Sequence, residues 1–261
     1  MTATSPGHGD QANEDFVGAA GDVMVVVDGA GIRGAEALCH HGVAWYARTL
    51  GAHVIDGLRQ QPRTRLRDAV AESIAAVTAA HSGTCDVADP SSPQASIAVV
   101  RRETDGADYL VLGDVYVIAE AAPPRVITDG REVAVREVAT KELAHLVPGT
   151  PEHDQELRRA IDALRAARNR AGGYWIAKDD PDAACEAVVG RIDLASHGSL
   201  AVLSNGAARL VQPYGATDWQ GLVEMLHALG PDGVLRRLRD AEEQITAAPD
   251  DASIAYWRAS H

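Results

Sequence analysis

Apolar residues recur along this chain with two periods, and the change from one to the other marks the elements. A strand at Phe16–Val17 and a run of β-formers at Val23–Val27 come first, and the run stops abruptly at Asp28-Gly29. The Gly-, Ala- and His-containing segment Gly34–Leu58 reads as helical, and Pro62 breaks it. Leu66, Ala69, Val70, Ser73, Ile74 and Val77 then fall at helical spacing, which predicts an amphipathic helix over Arg65–His81. A Ser-, Pro- and Asp-rich stretch leads into short β-runs at Ser96–Arg101, Tyr109–Leu112, Val115–Ala119 and Arg125–Thr128. Gly106, Gly113-Asp114, Pro123-Pro124 and Asp129-Gly130 supply the turns. Such short connections leave no room for crossover helices, so these runs read as an antiparallel meander.

A helix over Gln155–Arg170, ended by Gly172-Gly173, precedes strands at Val188–Leu194 and Leu200–Leu203. Helices at Asp218–Leu229 and Asp232–Ala247 and a strand at Ala252–Trp257 close the order. Two packed antiparallel sheets, each covered outside by a helix pair, bury every apolar stripe in that order. The expected fold is therefore α+β, a four-layer αββα sandwich, with residues 1–261 as a single domain.

Composition narrows the function. With 24 Lys plus Arg against 37 Asp plus Glu, the net charge of -13 repels nucleic acid and anionic membranes, so neither is an expected partner. Arg63, Arg65 and Arg67 are followed by Asp68 and Glu72 and read as a solvated helix start. Cys39, Cys85 and Cys185 are far apart, without CxxC spacing, which indicates neither a zinc knuckle nor a disulfide framework. The polar start, the lack of an apolar run near ~20 residues and the cysteine usage lead us to expect a cytoplasmic protein. Its Ala-, Arg- and Asp-rich composition suits a high-GC bacterial genome.

Acidic residues stand at strand ends and turns: Glu14-Asp15, Asp28-Gly29, Gly113-Asp114 and Asp250-Asp251. If those ends meet on one rim of the sandwich, their oxygens can hold two hard divalent cations and a water between them. Taken singly, Asp28-Gly29 and Pro249-Asp250 also suit ordinary turns.

Five segments, NEDF, VVVDGAG, YLVLGDVYV, LSNGAARL and PDDASIAYW, resemble in order the NED, DG, GDS, SDG and DN(I/T) motifs of bacterial type 2C (PPM-type) metal-dependent protein phosphatases. The resemblance implies an αββα sandwich and hydrolysis of phosphoserine or phosphothreonine in a phosphoprotein, or of a small phosphate ester. It implies two or three Mn2+ or Mg2+ ions. Asp28 would bridge two of them, the Gly29 carbonyl, Asn205 and Asp250 would be ligands, and Asp114 would serve a third. Glu14 and Asp15 would join Asp28 in catalysis, directly or through water.

The chain departs from that pattern in several places. Asn205 stands where the family has Asp, and Asp10 stands where it has a phosphate-gripping Arg. Val115 replaces a small polar residue, and Ala30 replaces a His found in some relatives. Arg33 is the candidate phosphate-binding residue, with Arg168 and Arg170 also considered. Asn205 and Asp10 favour a second reading, a catalytically weak or dead pseudophosphatase that acts as a binding module. A phosphotransferase with Asp28 as aspartyl nucleophile needs a second Asp where Ala30 stands. His40-His41, His145, His153 and His197 show no ligand spacing and read as surface or core residues; Cys39 reads as helix core. Tyr174, Trp175 and Trp219 read as packing aromatics.

Overall fold

The structure, a computed structural model, describes residues 1–7, 12–31, 38–194 and 198–259. In chain order come β1 (Thr2–Ser5), β2 (Phe16–Ala20), β3 (Val23–Ala30), α1 (Gly42–Gln60), α2 (Leu66–His81), β4 (Gln94–Arg102) and β5 (Gly106–Leu112). There follow β6 (Tyr116–Ala119), β7 (Arg125–Ile127), α3 (Arg131–Thr140), α4 (Pro151–Ala167) and β8 (Val188–Asp193). The chain ends with β9 (Ser199–Leu203), α5 (Asn205–Ala208), α6 (Trp219–Ile245) and β10 (Ala252–Arg258). Short 3-10 turns occupy Lys141–His145 and Pro181–Glu186.

The strands form two five-stranded antiparallel sheets, one in the order β1-β10-β9-β6-β7 and the other β2-β3-β4-β5-β8. Side-chain alternation explains why β3 is apolar on every residue up to Asp28. Val23, Val25 and Val27 face α1 and α2, while Met24 and Val26 face the opposite sheet. In β4, Ile97 and Val99 point to the helices and Ala98 and Val100 to the inter-sheet layer. The sheet containing β9 repeats the arrangement: Ala201 and Leu203 meet α6, and Leu200 and Val202 meet the sheet containing β3 and β4. The four-layer αββα sandwich expected from the sequence is therefore present.

Several element boundaries differ from expectation. The helix expected from Gly34 begins at Gly42, whose φ of +76° a side chain would oppose; Cys39, His40 and His41 form the turn before it, and residues 34–37 lie outside the described residues. The expected meander is split between the sheets. β4 pairs with β5, but β6 crosses to pair with β7 and β9. Gly113 makes the crossing at φ +88°, and a Cβ there would sit 2.2 Å from Ser96 Oγ.

The two expected C-terminal helices are the halves of the 27-residue α6, broken at Gly230 (φ 67°, ψ 177°), where Pro231 bars the helical conformation of its predecessor. Asp218 starts α6 by accepting a hydrogen bond from Gly221 N–H at 2.8 Å. The expected Gln155–Arg170 helix starts earlier, at Pro151, because the Thr150 hydroxyl caps His153 N–H, and it ends at Ala167. β1 and α3 were not anticipated: β1 has one buried residue, Ala3, and α3 has none, so neither carries an apolar period. Among the described residues no helix is long and apolar enough to cross a membrane.

Leu110 on β5 is fully buried beneath the helices, whereas Leu157 on α4 is 40% exposed. Urea unfolding is expected to show a loss of about 2–5 kcal/mol for Leu110→Ala and within about 0.5 kcal/mol of no change for Leu157→Ala.

Candidate metal centre

The sheet registers bring the sequence-separated acidic residues to one edge. Asp28 lies near the end of β3, opposite Ser96 near the start of β4, and β3 continues through Gly29 to Ala30 rather than stopping at Asp28-Gly29. Asp114 sits in the turn between β5 and β6, and Tyr116, which opens β6, pairs with Leu203, which closes β9. Asn205 follows β9 directly, and Asp250 lies just before β10, whose Ile254 pairs with Leu203. These ends enclose a cleft of about 230 Å³ lined by Asp28, Gly29, Asp114, Asn205 and Asp250, with Glu132, Arg136, Arg168, Tyr174 and Arg209 on its walls.

Asn205 links the two sheets. Its backbone N–H donates to Asp28 Oδ2 at 2.7 Å, and its side-chain Nδ2 donates to Asp114 Oδ2 at 2.9 Å. The Ser96 hydroxyl donates to the other Asp114 oxygen at 2.8 Å. Arg136 lies 3.7 Å from Asp114 and bonds Glu132, one helical turn back, at 2.5 Å. Arg209, one turn beyond Asn205, is ion-paired with Asp250. Arg168 donates to the Pro90 carbonyl at 2.7 Å and to the Tyr174 hydroxyl at 3.2 Å.

Glu14 and Asp15 stand behind this rim. Glu14 N–H donates to Asp251 Oδ2 at 2.6 Å, and Gly7 N–H donates to Asp251 Oδ1 at 2.7 Å. Asp251 therefore serves to position the backbone, a role the sequence reading did not assign it. Its N–H in turn bonds Asp250 Oδ1 at 3.0 Å. Arg239 holds the Asp250 carbonyl at 2.8 Å, fixing the approach to β10. Gly29 packs so closely on the Glu14 backbone that a Cβ would lie 2.3 Å from the Glu14 carbonyl oxygen.

Asp15 is only 6% exposed, and its Oδ2 has no hydrogen-bond partner among the described residues. Burial pushes its carboxyl up to about 7, against hydrogen bonds from Ser204 and Ser253 that favour ionisation and with the charges of Asp251 and Asp250 raising it further. Burial first, then the neighbouring Asp15 and Asp114, raises the Asp28 carboxyl well above the usual carboxylate range; the bond from Asn205 N–H lowers it. Two like charges 4 Å apart repel by about 4 kcal/mol at an effective dielectric near 20, so a crowd of carboxylates this close needs positive charge. The carboxylates of Asp28, Asp114 and Asp250 and the side-chain oxygen of Asn205 at the cleft, with the buried Asp15 carboxylate behind them, form a hard-oxygen donor set, which fits a divalent cation of the Mg2+ or Mn2+ kind.

Of the residues singled out in the sequence, Asp28, Gly29, Asp114, Asn205 and Asp250 meet in the cleft, and Asp15 lies within electrostatic reach behind it. Arg33 and Asp10 lie outside the described residues. Arg168 reaches the cleft and Arg170 is exposed. Sequence reading missed Glu132, Arg136 and Arg209. Arg136 carried only a Glu–Arg spacing of four on a helix without an apolar stripe, and Arg209 lay unremarked inside LSNGAARL.

Neither a protein-family profile nor a curated protein sequence matches the chain. Solved structures do. The Mycobacterium tuberculosis serine/threonine phosphatase PstP/Ppp superposes with a TM-score of 0.65 over 100% of this chain and 98% of its own, at 13% identity. A PstP catalytic domain in complex with two manganese ions gives 0.61 over 100% and 97%, also at 13% identity. The PPM Ser-Thr phosphatase MsPP from Mycobacterium smegmatis, in complex with cacodylate, gives 0.58 over 98% and 96% at 21% identity. The fold is thus that of the PPM-type serine/threonine phosphatases.

The raised Asp15 carboxyl sets a pH dependence of known sign. A carboxyl whose folded pKa exceeds its unfolded value favours folding only while protonated, so its contribution is complete below 3.8 and is lost as the pH rises through about 7. In the presence of EDTA, urea unfolding is expected to show stability falling between pH 5 and pH 8, with a shallower fall in Asp15→Asn; equal slopes in the two proteins would refute this origin.

Proposed function

We propose that the chain is a metal-dependent phosphatase of a bacterial cytoplasm, with residues 1–261 working as one domain on phosphoserine or phosphothreonine in a phosphoprotein, or on a small phosphate ester. The observation that carries the reading is the convergence of Asp28, Gly29, Asp114, Asn205 and Asp250 on one cleft at the sandwich edge, in the fold of PPM-type phosphatases. The three free cysteines suit a reducing compartment.

In this reading Asp28, Gly29 and Asp250 hold two Mn2+ or Mg2+ ions, with Asn205 contributing a neutral oxygen and Asp114 serving a third. When bound, such ions supply an acidified water and polarise phosphoryl oxygens. The chain's own groups do the rest. Asp15, whose carboxyl burial raises to about 7, lies behind Asp28. Arg209, paired with Asp250, and Arg136, beside Asp114, carry planar forks at the cleft that would suit a phosphoryl group. They join or replace Arg33, which follows the Asp28-Gly29 turn in sequence.

One observation favours the second reading, a pseudophosphatase that signals by binding. Asp28, Asp114 and Asp250 each already have a protein partner, and the amide of Asn205 bonds Asp114 where a carboxylate would repel it.

Hydrolysis of p-nitrophenyl phosphate with millimolar Mn2+ separates the two. Turnover by the wild type that EDTA abolishes and Asp28→Ala reduces at least a hundredfold is the expected result. Asn205→Asp should tighten Mn2+ binding tenfold or more, equivalent to about 1.4 kcal/mol, and lower the stability of the metal-free protein. A silent wild type made active by Asn205→Asp would establish the binding module instead.

A further inference from the structure

Away from the cleft, Cys39, His40 and His41 form the turn before α1, and Cys85 lies four residues beyond the end of α2. The spacing of these residues in sequence suggests no ligand set, yet the fold gathers Cys39, His41 and Cys85, with His40 beside Cys85. Asp86 N–H bonds the Leu38 carbonyl at 2.9 Å, tying the two segments together, and Cys85 N–H is anchored on the His81 carbonyl at 2.9 Å. Cys39 is buried at 3% exposure and turned toward Cys85, so it is not the helix-core residue expected from the sequence.

The ligand atoms of Cys39, His41 and Cys85 all lie within 4.8 Å of one another. His41 Nδ1 is 3.3 Å from Cys85 Sγ and 3.9 Å from Cys39 Sγ, and His40 Nδ1 is 3.8 Å from Cys85 Sγ. Around a tetrahedral zinc ion, with Zn–S about 2.3 Å and Zn–N about 2.0–2.1 Å, sulfur and nitrogen ligands stand about 3.6 Å apart. The three observed separations straddle that value. The His41 ring is oriented by packing on Trp45, with centroids 4.4 Å apart, and Trp45 in turn meets His81 edge-on at 5.2 Å.

We propose that Cys39, His41 and Cys85, with His40 closing the fourth position, bind a zinc-class divalent ion. Two thiolates and two imidazoles form a softer donor set than the oxygens of the cleft, so the two sites select different metals. Four protein ligands leave no open position, which makes this a structural site. It joins the turn before α1 to the segment after α2 and thereby fixes where α1 begins. Burial and the approach of His40 and His81 hold the His41 imidazole below its usual range, in the neutral form that ligates. Burial keeps the Cys39 thiol protonated until a metal displaces its proton.

The test uses the full chain, purified under reducing conditions, stripped with chelator and titrated with Co2+ and then Zn2+. Thiolate-to-cobalt charge-transfer absorption should saturate at one equivalent and be bleached by Zn2+. Cys39→Ser and Cys85→Ser should each weaken Co2+ binding at least tenfold. Cys185→Ser, at an exposed thiol elsewhere, and Asp28→Asn, in the cleft, should leave the band unchanged. Circular dichroism reports folding of each variant, and Cys85, only partly buried, is the safer of the two thiols to replace. The absence of a thiolate band in the wild type overturns the proposal. So does a band that survives Cys85→Ser but is lost with Cys185→Ser, or Cys39–Cys85 disulfide formation without metal uptake after reduction.

Discussion

Repulsion among carboxylates gathered at one edge of the sandwich is the constraint around which this molecule is arranged. Asp28, Asp114 and Asp250 face one cleft, and Asp15 raises the Asp28 carboxyl from behind. The chain supplies its own counter-charge there: the Asn205 amide against Asp114, Arg136 beside it, and Arg209 against Asp250. These contacts are strong enough to hold the rim together and open enough to be exchanged, since Arg136 and Arg209 are partly exposed and each is borne on one short or unburied helix. Asn205 has a double effect. It replaces a repulsion against Asp114 with a hydrogen bond, and it offers a bound cation a neutral oxygen in place of a charged one.

The sandwich makes that convergence possible because every strand end at the cleft is set by register. Alternating burial fixes β3 between the helices and the opposite sheet, and a slip of one residue would turn its valines to the wrong layer and carry Asp28 away from Ser96. The Gly113 turn then moves the chain from one sheet to the other, so Asp114 belongs to both. Asp251, with both oxygens bound to backbone N–H groups of Gly7 and Glu14, ties the N-terminal segment to the start of β10. The rim is thus braced by a carboxylate that lies beside a candidate ligand and has no free oxygen of its own.

Most of the fold was legible in the chain, and the exceptions share a cause. α2, β3, β4 and the two halves of α6 announced themselves because an apolar face must be buried in each. α3 and β1 did not, because they bury one residue or none, and the start of α1 was misplaced because its preceding turn contains apolar and polar residues in no regular period. In the centre, Asp28, Gly29, Asp114, Asn205 and Asp250 were legible through their motif order. Arg136 and Arg209 were not, since an arginine that faces a cleft has the same local sequence as one that faces water.

Local sequence by itself determined the strands and helices that bury an apolar face, which carboxylates lie near the ends of those strands, and that Asn205 removes one charge, because each depends on residue type and period alone. Only the tertiary structure decided which arginines reach those carboxylates, which Asp is a brace, and that Cys39, His40 and His41 stand against Cys85. The reason is physical. Contacts between residues more than twenty positions apart are set by how buried faces pack, and a side chain's neighbours across a packed interface leave no trace in the spacing of its own segment.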